Sequence, residues 1–167
     1  MEQHPSDSKV QRDIETEMCS DLEKQHPDWH RIDWRDLTNG RELAAKVKPD
    51  GVWRDDKGII IIAECYARVG ELKPGHRRKI ATDVLKLISL RDEFGIDNPP
   101  RLLLVIPDEQ GPQLEGNDWL SIVIAKQIRL VKVHLTDQQH NVLLKAVKRQ
   151  AEVQARTGKE KVPHEPS

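Results

Sequence analysis

Cysteine and long apolar runs are both scarce in this chain. Its two cysteines, Cys19 and Cys65, are too few for a disulfide scaffold and lie in distant segments of the sequence. This usage is typical of a reduced, cytoplasmic protein. The longest apolar run, residues 59–63, is far too short to cross a bilayer, and residues 1–9 lack the apolar stretch of a signal peptide. We therefore expect a cytoplasmic protein with no membrane anchor.

An excess of charge of one sign is missing as well. The chain has 27 Lys and Arg against 28 Asp and Glu, a formal net charge of -1, so any basic surface for nucleic acid must be local. Its 167 residues suffice for one domain with a hydrophobic core. We predict a single domain over residues 9–154, between a disordered lead-in at residues 1–8 and a disordered, Lys/Glu/Pro-rich tail at residues 155–167.

Motifs of several enzyme classes are absent. No glycine-rich phosphate-binding loop occurs, and no cysteine pair or His-Glu-x-x-His spacing indicates zinc. His26 and His30 are four residues apart, but Pro27 argues against a shared helical turn. Ser89 and Ser121 lie in helical patterns without the glycines of a nucleophile elbow. The sequence thus gives no support to a P-loop enzyme, a zinc site or a serine hydrolase.

The apolar pattern predicts alternating helices and strands. Helices are expected at residues 9–24 with Ser8 as the cap, at 74–94, at 118–128, and from Thr136 to about residue 154. Strands are expected at residues 42–47, 51–54, 58–64, 101–107 and 129–135. In the irregular stretch between the first helix and the first strand, Trp29 and Trp34 are expected to pack against the core. This order predicts an α/β fold with a mixed central β-sheet flanked by helices.

A turn at residues 55–58 sets the register of the hairpin between the second and third predicted strands. With Lys57 as the midpoint, Asp50 lies directly opposite Glu64, and opposed residues have Cβ atoms roughly 4.5–5.5 Å apart. Two carboxylates this close repel each other unless a cation bridges them or one of them is protonated. Mg²⁺ favours such oxygen ligands, so the pair is a candidate metal site. The alternative is a solvated strand end, since a register slip of one residue would separate the pair.

Pro49-Asp50, the hairpin, Glu64 at the end of a buried strand and a long helix beyond it together resemble the PD-(D/E)XK nuclease superfamily. The resemblance covers about residues 10–106 and implies that superfamily's restriction-endonuclease-like αβββαβ core. It also implies that Asp50, Glu64 and the main-chain carbonyl of Cys65 bind Mg²⁺ or Mn²⁺. Such an ion would polarise a phosphodiester and help to generate a hydroxide nucleophile.

In this superfamily an acid of the first helix sometimes completes the metal site. Glu17 is the first candidate here, because it lies beside the apolar stripe of Val10, Ile14 and Met18. Glu15 is the second candidate. Alternatively, both are plain surface acids.

The chain departs from the superfamily's pattern directly after Glu64. A lysine is expected two residues later, where this sequence has Tyr66, whose phenol is neutral near pH 7. Glu71-Leu72-Lys73 matches the motif literally, but it follows Gly70 and does not end a buried strand, so we interpret it as a loop. Three residues are candidates for the missing cation: Arg68, which would share the face of Glu64 if the strand continues, Lys73 and Lys79.

Basic residues cluster at the start of the predicted long helix. The members expected to bind phosphate are Lys73, His76, Arg77 and Arg78, with Lys79 beside them. Free N–H groups at a helix N-terminus also favour an anion there. The alternative is a solvated helix face, on which Lys79, Asp83 and Lys86 have the spacing that pairs along one side of a helix.

The sequence therefore predicts a Mg²⁺- or Mn²⁺-dependent nuclease that hydrolyses phosphodiester bonds, with DNA as the expected substrate. Asp50, Glu64, Arg68 and Lys79 are its predicted catalytic residues. One alternative is a catalytically inactive nuclease-fold module that binds nucleic acid or a protein partner within a larger complex. Another is an interaction protein whose closing helix docks a partner. The small size of the domain favours a homodimer or a subunit of a larger complex.

Overall fold

A computed structural model describes residues 7–95 and 97–159 of the chain. Seven helices and five strands follow one another along these residues. Their bounds are α1 (Asp7–Gln25), β1 (Trp29–Arg31), α2 (Trp34–Thr38), α3 (Glu42–Lys46), β2 (Gly51–Asp55), β3 (Ile60–Cys65), α4 (Pro74–Phe94), β4 (Arg101–Pro107), α5 (Gly111–Leu114), α6 (Trp119–Gln127), β5 (Arg129–Val133) and α7 (Asp137–Lys159). A 3-10 turn, Asp108–Gln110, joins β4 to α5. None of the described helices combines the length and apolar character needed to cross a membrane.

The five strands form one mixed sheet in the order β1-β2-β3-β4-β5. The first three strands pair antiparallel, whereas β4 runs parallel to β3 and β5 runs parallel to β4. In the hairpin of β2 and β3, Gly51 pairs with Ala63 and Val52 pairs with Ile62, which is the register predicted from the turn. The predicted α/β fold with a mixed central sheet flanked by helices is confirmed.

The two faces of the sheet pack against different helices. On one face, Ile60 and Ile62 of β3 join a core that includes Ile80 and Leu87 of α4. On the other face, alternate residues of β3 join a core built with α1 and α7, namely Ile61, Ala63 and Cys65. Because side chains alternate along a strand, Glu64 points to the α4 face together with Ile60 and Ile62.

The strand predicted at residues 42–47 is wrong, because these residues form the short helix α3. A distant carboxylate stabilises its first turn: the backbone N–H groups of Leu43 and Ala44 donate to Glu93 of α4 at 2.7 Å each. The third strand of the antiparallel part is β1 instead, which pairs with β2 through Trp29↔Asp55. Trp34 is buried as expected and donates its indole N–H to the Ala44 carbonyl at 2.8 Å.

The first and last described helices extend beyond their predicted bounds. Helix α1 includes Asp7, so Ser8 lies inside its first turn and is not the cap. Thr136 caps α7 as predicted, since its Oγ1 accepts from Gln139 N at 3.2 Å. That helix continues to Lys159, so residues 155–159, predicted to be disordered, are helical. The rest of the predicted lead-in and tail, residues 1–6 and 160–167, lies outside the described residues.

Candidate functional site

Asp50 and Glu64 lie at the open end of the β2–β3 hairpin. The Asp50 backbone N–H donates to the Ala63 carbonyl at 3.1 Å, which continues the ladder and places Asp50 opposite Glu64. The exposed Asp50 accepts the Cys65 backbone N–H on Oδ2 at 2.8 Å, so its carboxylate lies against the end of β3. The side chain of Glu64 is buried, and the residue is only 3% exposed.

A lysine from α4 contacts the buried carboxyl group of Glu64. Lys86 Nζ lies 2.5 Å from Glu64 Oε1, and the Lys86 side chain is itself largely covered. Burial, followed by the charge of Asp50, raises the pKa of Glu64 to about 8, although contact with Lys86 lowers it. Around pH 7 the site therefore holds a carboxyl group that is easily protonated, together with a cation that favours its ionised form.

Two further residues of α4 add charge to the same region. Lys79 Nζ lies 3.4 Å from Asp83 Oδ2, an i, i+4 pair on the side of the helix that also carries Lys86. Burial raises the pKa of Asp83, while the charges of Lys79 and Lys86 lower it. Lys79 Nζ also lies 5.0 Å from the centre of the Tyr66 ring, which is a cation–π distance.

Helix α1 contributes Glu15 from the opposite face of the sheet. Its Oε1 accepts the backbone N–H of Ala67 at 3.2 Å, just past the end of β3. Burial raises the pKa of Glu15; the charge of Lys79 lowers it and that of Asp50 raises it, so these groups share one electrostatic environment. Glu17, the first candidate from the sequence, instead accepts from Gln139 of α7 at 2.6 Å. Of the two candidates, Glu15 is the acid whose pKa is affected by the charge of Asp50, and the prediction of Glu17 as a metal ligand stays a prediction.

Tyr66 occupies the position at which the motif lysine is expected, and it is buried. Burial raises the pKa of its hydroxyl to about 12, while the Arg68 guanidinium beside it has a smaller, opposite effect. The phenol is therefore neutral at physiological pH. Arg68 is partly buried, and its charge also lowers the pKa of His76 at the start of α4.

The basic residues at the start of α4 separate into two groups. Arg77 has partners within the chain: its partly exposed guanidinium contacts Asp118 at 2.5 Å and donates to the Gln113 carbonyl at 2.9 Å. His76 accepts the Lys73 backbone N–H on Nδ1 at 3.0 Å, and burial followed by the charges of Arg68 and Lys73 lowers its pKa. The side chains open to solvent here are those of Lys73, Arg78 and Lys79.

The loop between β3 and α4 is held by the segment that follows β4. Glu109 accepts the Gly70 backbone N–H at 3.1 Å, and the buried Gln110 donates to the Gly70 carbonyl at 2.7 Å. Gln113 accepts the Leu72 N–H at 2.7 Å. Gly70 has φ +80°, a conformation that favours glycine. These contacts fix the loop that carries Arg68 and Lys73.

The donor set fits a hard cation by its chemistry, since carboxylate oxygens are the ligands that Mg²⁺ and Mn²⁺ favour. Asp50 raises the pKa of both Glu15 and Glu64, and such mutual repulsion is what a divalent cation would relieve. Within residues 7–95 and 97–159, however, no three His, Cys, Asp or Glu side chains are arranged so that they could hold an ion.

Comparisons with protein-family models, with curated proteins and with solved structures found no match. The site consists of carboxyl groups at the end of β3, a lysine in contact with one of them, and exposed cations at the start of α4.

Sequence reasoning missed the contact of Lys86 with Glu64 and the contacts of the β3–α4 loop. Lys86 lies seven residues after Lys79, two helical turns along the same side of α4, so the helical spacing already placed both lysines on one face. Glu15 lies one helical turn before Cys19, whose side chain is buried. An apolar residue at this spacing indicates that this side of α1 is covered as well. The loop contacts have no such signal, because they join segments about forty residues apart.

Proposed function

We propose that this chain is a metal-dependent nuclease of the PD-(D/E)XK type, which hydrolyses phosphodiester bonds in DNA. One observation carries the proposal: the contact of Lys86 with the buried Glu64, beside Asp50, at the end of β3. The arrangement brings together two acids and a cation although the lysine expected two residues after Glu64 is absent from the sequence.

The order of elements supports the same proposal. Elements α1, β1, β2, β3, α4 and β4 follow an αβββαβ succession, in which α2 and α3 are additions between β1 and β2. The antiparallel β1-β2-β3 meander, with β4 parallel to β3, forms a sheet in which Asp50 and Glu64 end up side by side. This succession supports a restriction-endonuclease-like core as part of the proposal.

Each acid has a definite place in the proposed chemistry. Asp50 and Glu64 would hold Mg²⁺ or Mn²⁺, with the main-chain carbonyl of Cys65 and with Glu15 as the acid of the first helix. The ion supplies Lewis acidity towards the phosphodiester and lowers the pKa of a bound water. Glu64 has to be ionised for this role, and the Lys86 ammonium group at 2.5 Å favours the ionised carboxylate.

The cations of α4 would act on the substrate. Lys86 is proposed as the functional substitute for the motif lysine, because a fixed ammonium group there can stabilise negative charge that develops on the attacked phosphate. Lys79, over the ring of Tyr66, and Arg68, whose charge lowers the pKa of Tyr66, are further candidate cations. Lys73 and Arg78, which are exposed, would bind phosphates of the DNA backbone, whereas Arg77 is engaged with Asp118.

A second candidate function is a nuclease-fold module without catalysis, which binds nucleic acid or a protein partner within a larger complex. Two observations favour it. The buried Tyr66 stands at the lysine position, and the acids of the described residues are not arranged as a ready metal site. The two candidates differ in whether Asp50 and Glu64 bind a divalent ion.

Cleavage of supercoiled plasmid DNA, with Mg²⁺ or Mn²⁺ and with EDTA, tests the proposal. We expect metal-dependent cleavage that Asp50→Asn and Glu64→Gln each reduce roughly 100-fold or more. Asp56→Asn is the matched control, since Asp56 is an exposed acid in the turn at the other end of the same hairpin.

Isothermal titration with Mn²⁺ on the wild type and on Asp50→Ala separates the two candidate functions. Absence of metal binding in the wild type would rule out the enzyme.

A further inference from the structure

The two cysteines, far apart in the sequence, are in contact in the folded chain. Cys19 Sγ of α1 lies 2.8 Å from Cys65 Sγ of β3, and both thiols are free. Each residue is 1% exposed, within the core that α1 and α7 form with the sheet. Their proximity could not be predicted from the sequence, because 46 residues separate the two positions.

Both cysteines are linked to the acids of the candidate site. Cys19 lies one helical turn after Glu15, so the two residues share a side of α1. Cys65 directly follows Glu64, and its backbone N–H donates to Asp50. A covalent bond between the two sulfurs would therefore connect the helix that carries Glu15 to the strand end that carries Glu64.

We propose that Cys19 and Cys65 form a redox pair, which a small hydroperoxide oxidises to a disulfide and a thiol reductant restores. The proposal is independent of nuclease activity. It rests on the distance between the sulfurs and on their enclosure by the same core.

The chemistry balances in two steps. One thiolate attacks the peroxide O–O bond, giving a sulfenic acid and one water. The second thiol then attacks that sulfur, and the S–O bond breaks as the S–S bond forms and a second water leaves. The two thiols together lose two electrons and two protons, and the peroxide is reduced to two waters. The reverse reaction is thiol–disulfide exchange with the added reductant.

Burial determines which oxidants can act and how fast. Hydrogen peroxide is close to water in size and can enter when the core opens locally, whereas a bulky disulfide such as oxidised glutathione cannot reach a sulfur in the folded chain.

Intact-mass spectrometry of the folded full chain after treatment with hydrogen peroxide tests the proposal. The expected product is a monomer that has lost the mass of two hydrogen atoms and contains one bond joining the peptides of Cys19 and Cys65. A thiol reductant restores the original mass. Closing this loop restricts the unfolded chain, so the midpoint of thermal unfolding should rise by about 5–10 °C.

Two single variants, Cys19→Ala and Cys65→Ala, are matched controls in which no intramolecular bond can form. Each should stop at the addition of oxygen, and neither should show the rise in the unfolding midpoint. The same treatment in urea checks that the wild-type bond depends on folding, since unfolding removes the proximity of the sulfurs. A wild-type product that carries only added oxygen, forms only disulfide-linked dimers, or keeps its original mass under all these conditions overturns the proposal.

Discussion

The carboxyl group of Glu64 is buried, and one cation, Lys86, lies beside it. Burial alone would keep such a group protonated, while Lys86 at 2.5 Å favours its ionised form. Burial is the larger effect, since the pKa stays at about 8 in spite of the lysine. The charge state of the site therefore changes within the range of pH in which proteins are usually studied.

The first prediction concerns stability against pH. The carboxyl group of Glu64 has a pKa of about 8 in the folded chain, against an ordinary value of 4.5. As the pH rises, the unfolded chain therefore loses this proton at a lower pH than the folded chain does. The contribution of Glu64 to stability is thus fully present below pH 4.5 and is lost as the pH rises to 8. We expect the free energy of unfolding to fall by roughly 2–4 kcal/mol over this range.

Urea denaturation between pH 5 and pH 8.5 measures this effect. Glu64→Gln should flatten the decline, because an amide does not titrate, while Glu152→Gln, at an exposed position of α7, should leave it unchanged. Equal slopes for the wild type and Glu64→Gln would contradict the assignment. Mn²⁺ affinity should rise over the same interval, since a metal ligand has to be deprotonated.

The second prediction concerns the replacement of the motif lysine. Lys86→Met should reduce DNA cleavage roughly 100-fold or more, and Lys86→Arg should restore part of it because the cation returns. Lys126→Met, an exposed lysine of α6, is the matched control. Circular dichroism has to accompany the assay, since removing one partner of a buried ion pair can cost about 3–5 kcal/mol. A folded Lys86→Met variant with full activity would exclude Lys86 from the reaction.

The sequence contained part of this site. The register of the hairpin, and with it the pairing of Asp50 and Glu64, followed from one turn, because side chains alternate strictly along a strand. The choice between Glu15 and Glu17 was beyond the sequence. Two residues apart on a helix, they point to different sides, and the tertiary fold alone decides which side meets β3.

At the scale of elements, α3 exists because of a contact with α4. Glu-Leu-Ala-Ala-Lys is a good helix-forming sequence, but five residues are too few to be stable alone. The Glu93 carboxylate accepts from the free N–H groups of Leu43 and Ala44 and so replaces a local cap. A partner some fifty residues away leaves no trace in the local pattern, which explains the wrong prediction of a strand.

The third prediction follows from this contact. Glu93→Ala should lower the free energy of unfolding by about 1–2 kcal/mol, because two backbone donors at the start of α3 lose their acceptor. Glu93→Gln, which keeps one acceptor oxygen, should cost less. Asp92→Asn, at the exposed neighbouring position, serves as the control, and urea denaturation is the measurement. A Glu93→Ala variant as stable as Asp92→Asn would show that α3 needs no cap.

Two elements were predicted with their full bounds, and both have strong local signals. Helix α4 begins at Pro74, whose missing N–H costs nothing in a first turn, and ends before Gly95, which has φ +79°. Strand β4, Arg101–Pro107, is an apolar run that follows two prolines and is buried along six of its seven residues. Strand β1 lacked any such signal, because three residues are too few to show a period.

At the scale of the whole molecule, α7 covers one face of the sheet together with α1. It packs against α1, and Leu143 and Ala146 belong to the core that also contains Cys19 and Cys65. Beyond residue 150 its residues with described side chains are exposed. The first half of this helix is therefore part of the domain core.

The fourth prediction compares two truncations. A chain that ends after Thr136 loses the cover of the core and should fail to fold cooperatively. A chain that ends after Gln150 keeps Leu143 and Ala146, so its free energy of unfolding should stay within about 1 kcal/mol of the full chain. Urea denaturation followed by tryptophan fluorescence distinguishes the two. A folded chain ending at Thr136 that merely fails to assemble would instead support an interaction role for α7.

Two backbone amides report on the charges of Asp50 and Glu15, because each amide donates a hydrogen bond to one of these carboxylates. The N–H of Cys65 points at the Asp50 carboxylate and that of Ala67 at the Glu15 carboxylate, at 2.8 Å and 3.2 Å. An amide proton that faces a carboxylate resonates at a frequency that depends on the charge of that carboxylate. Two cross-peaks of a ¹⁵N-labelled sample would thus follow the ionisation or metal occupancy of each acid separately, with no substrate and no turnover.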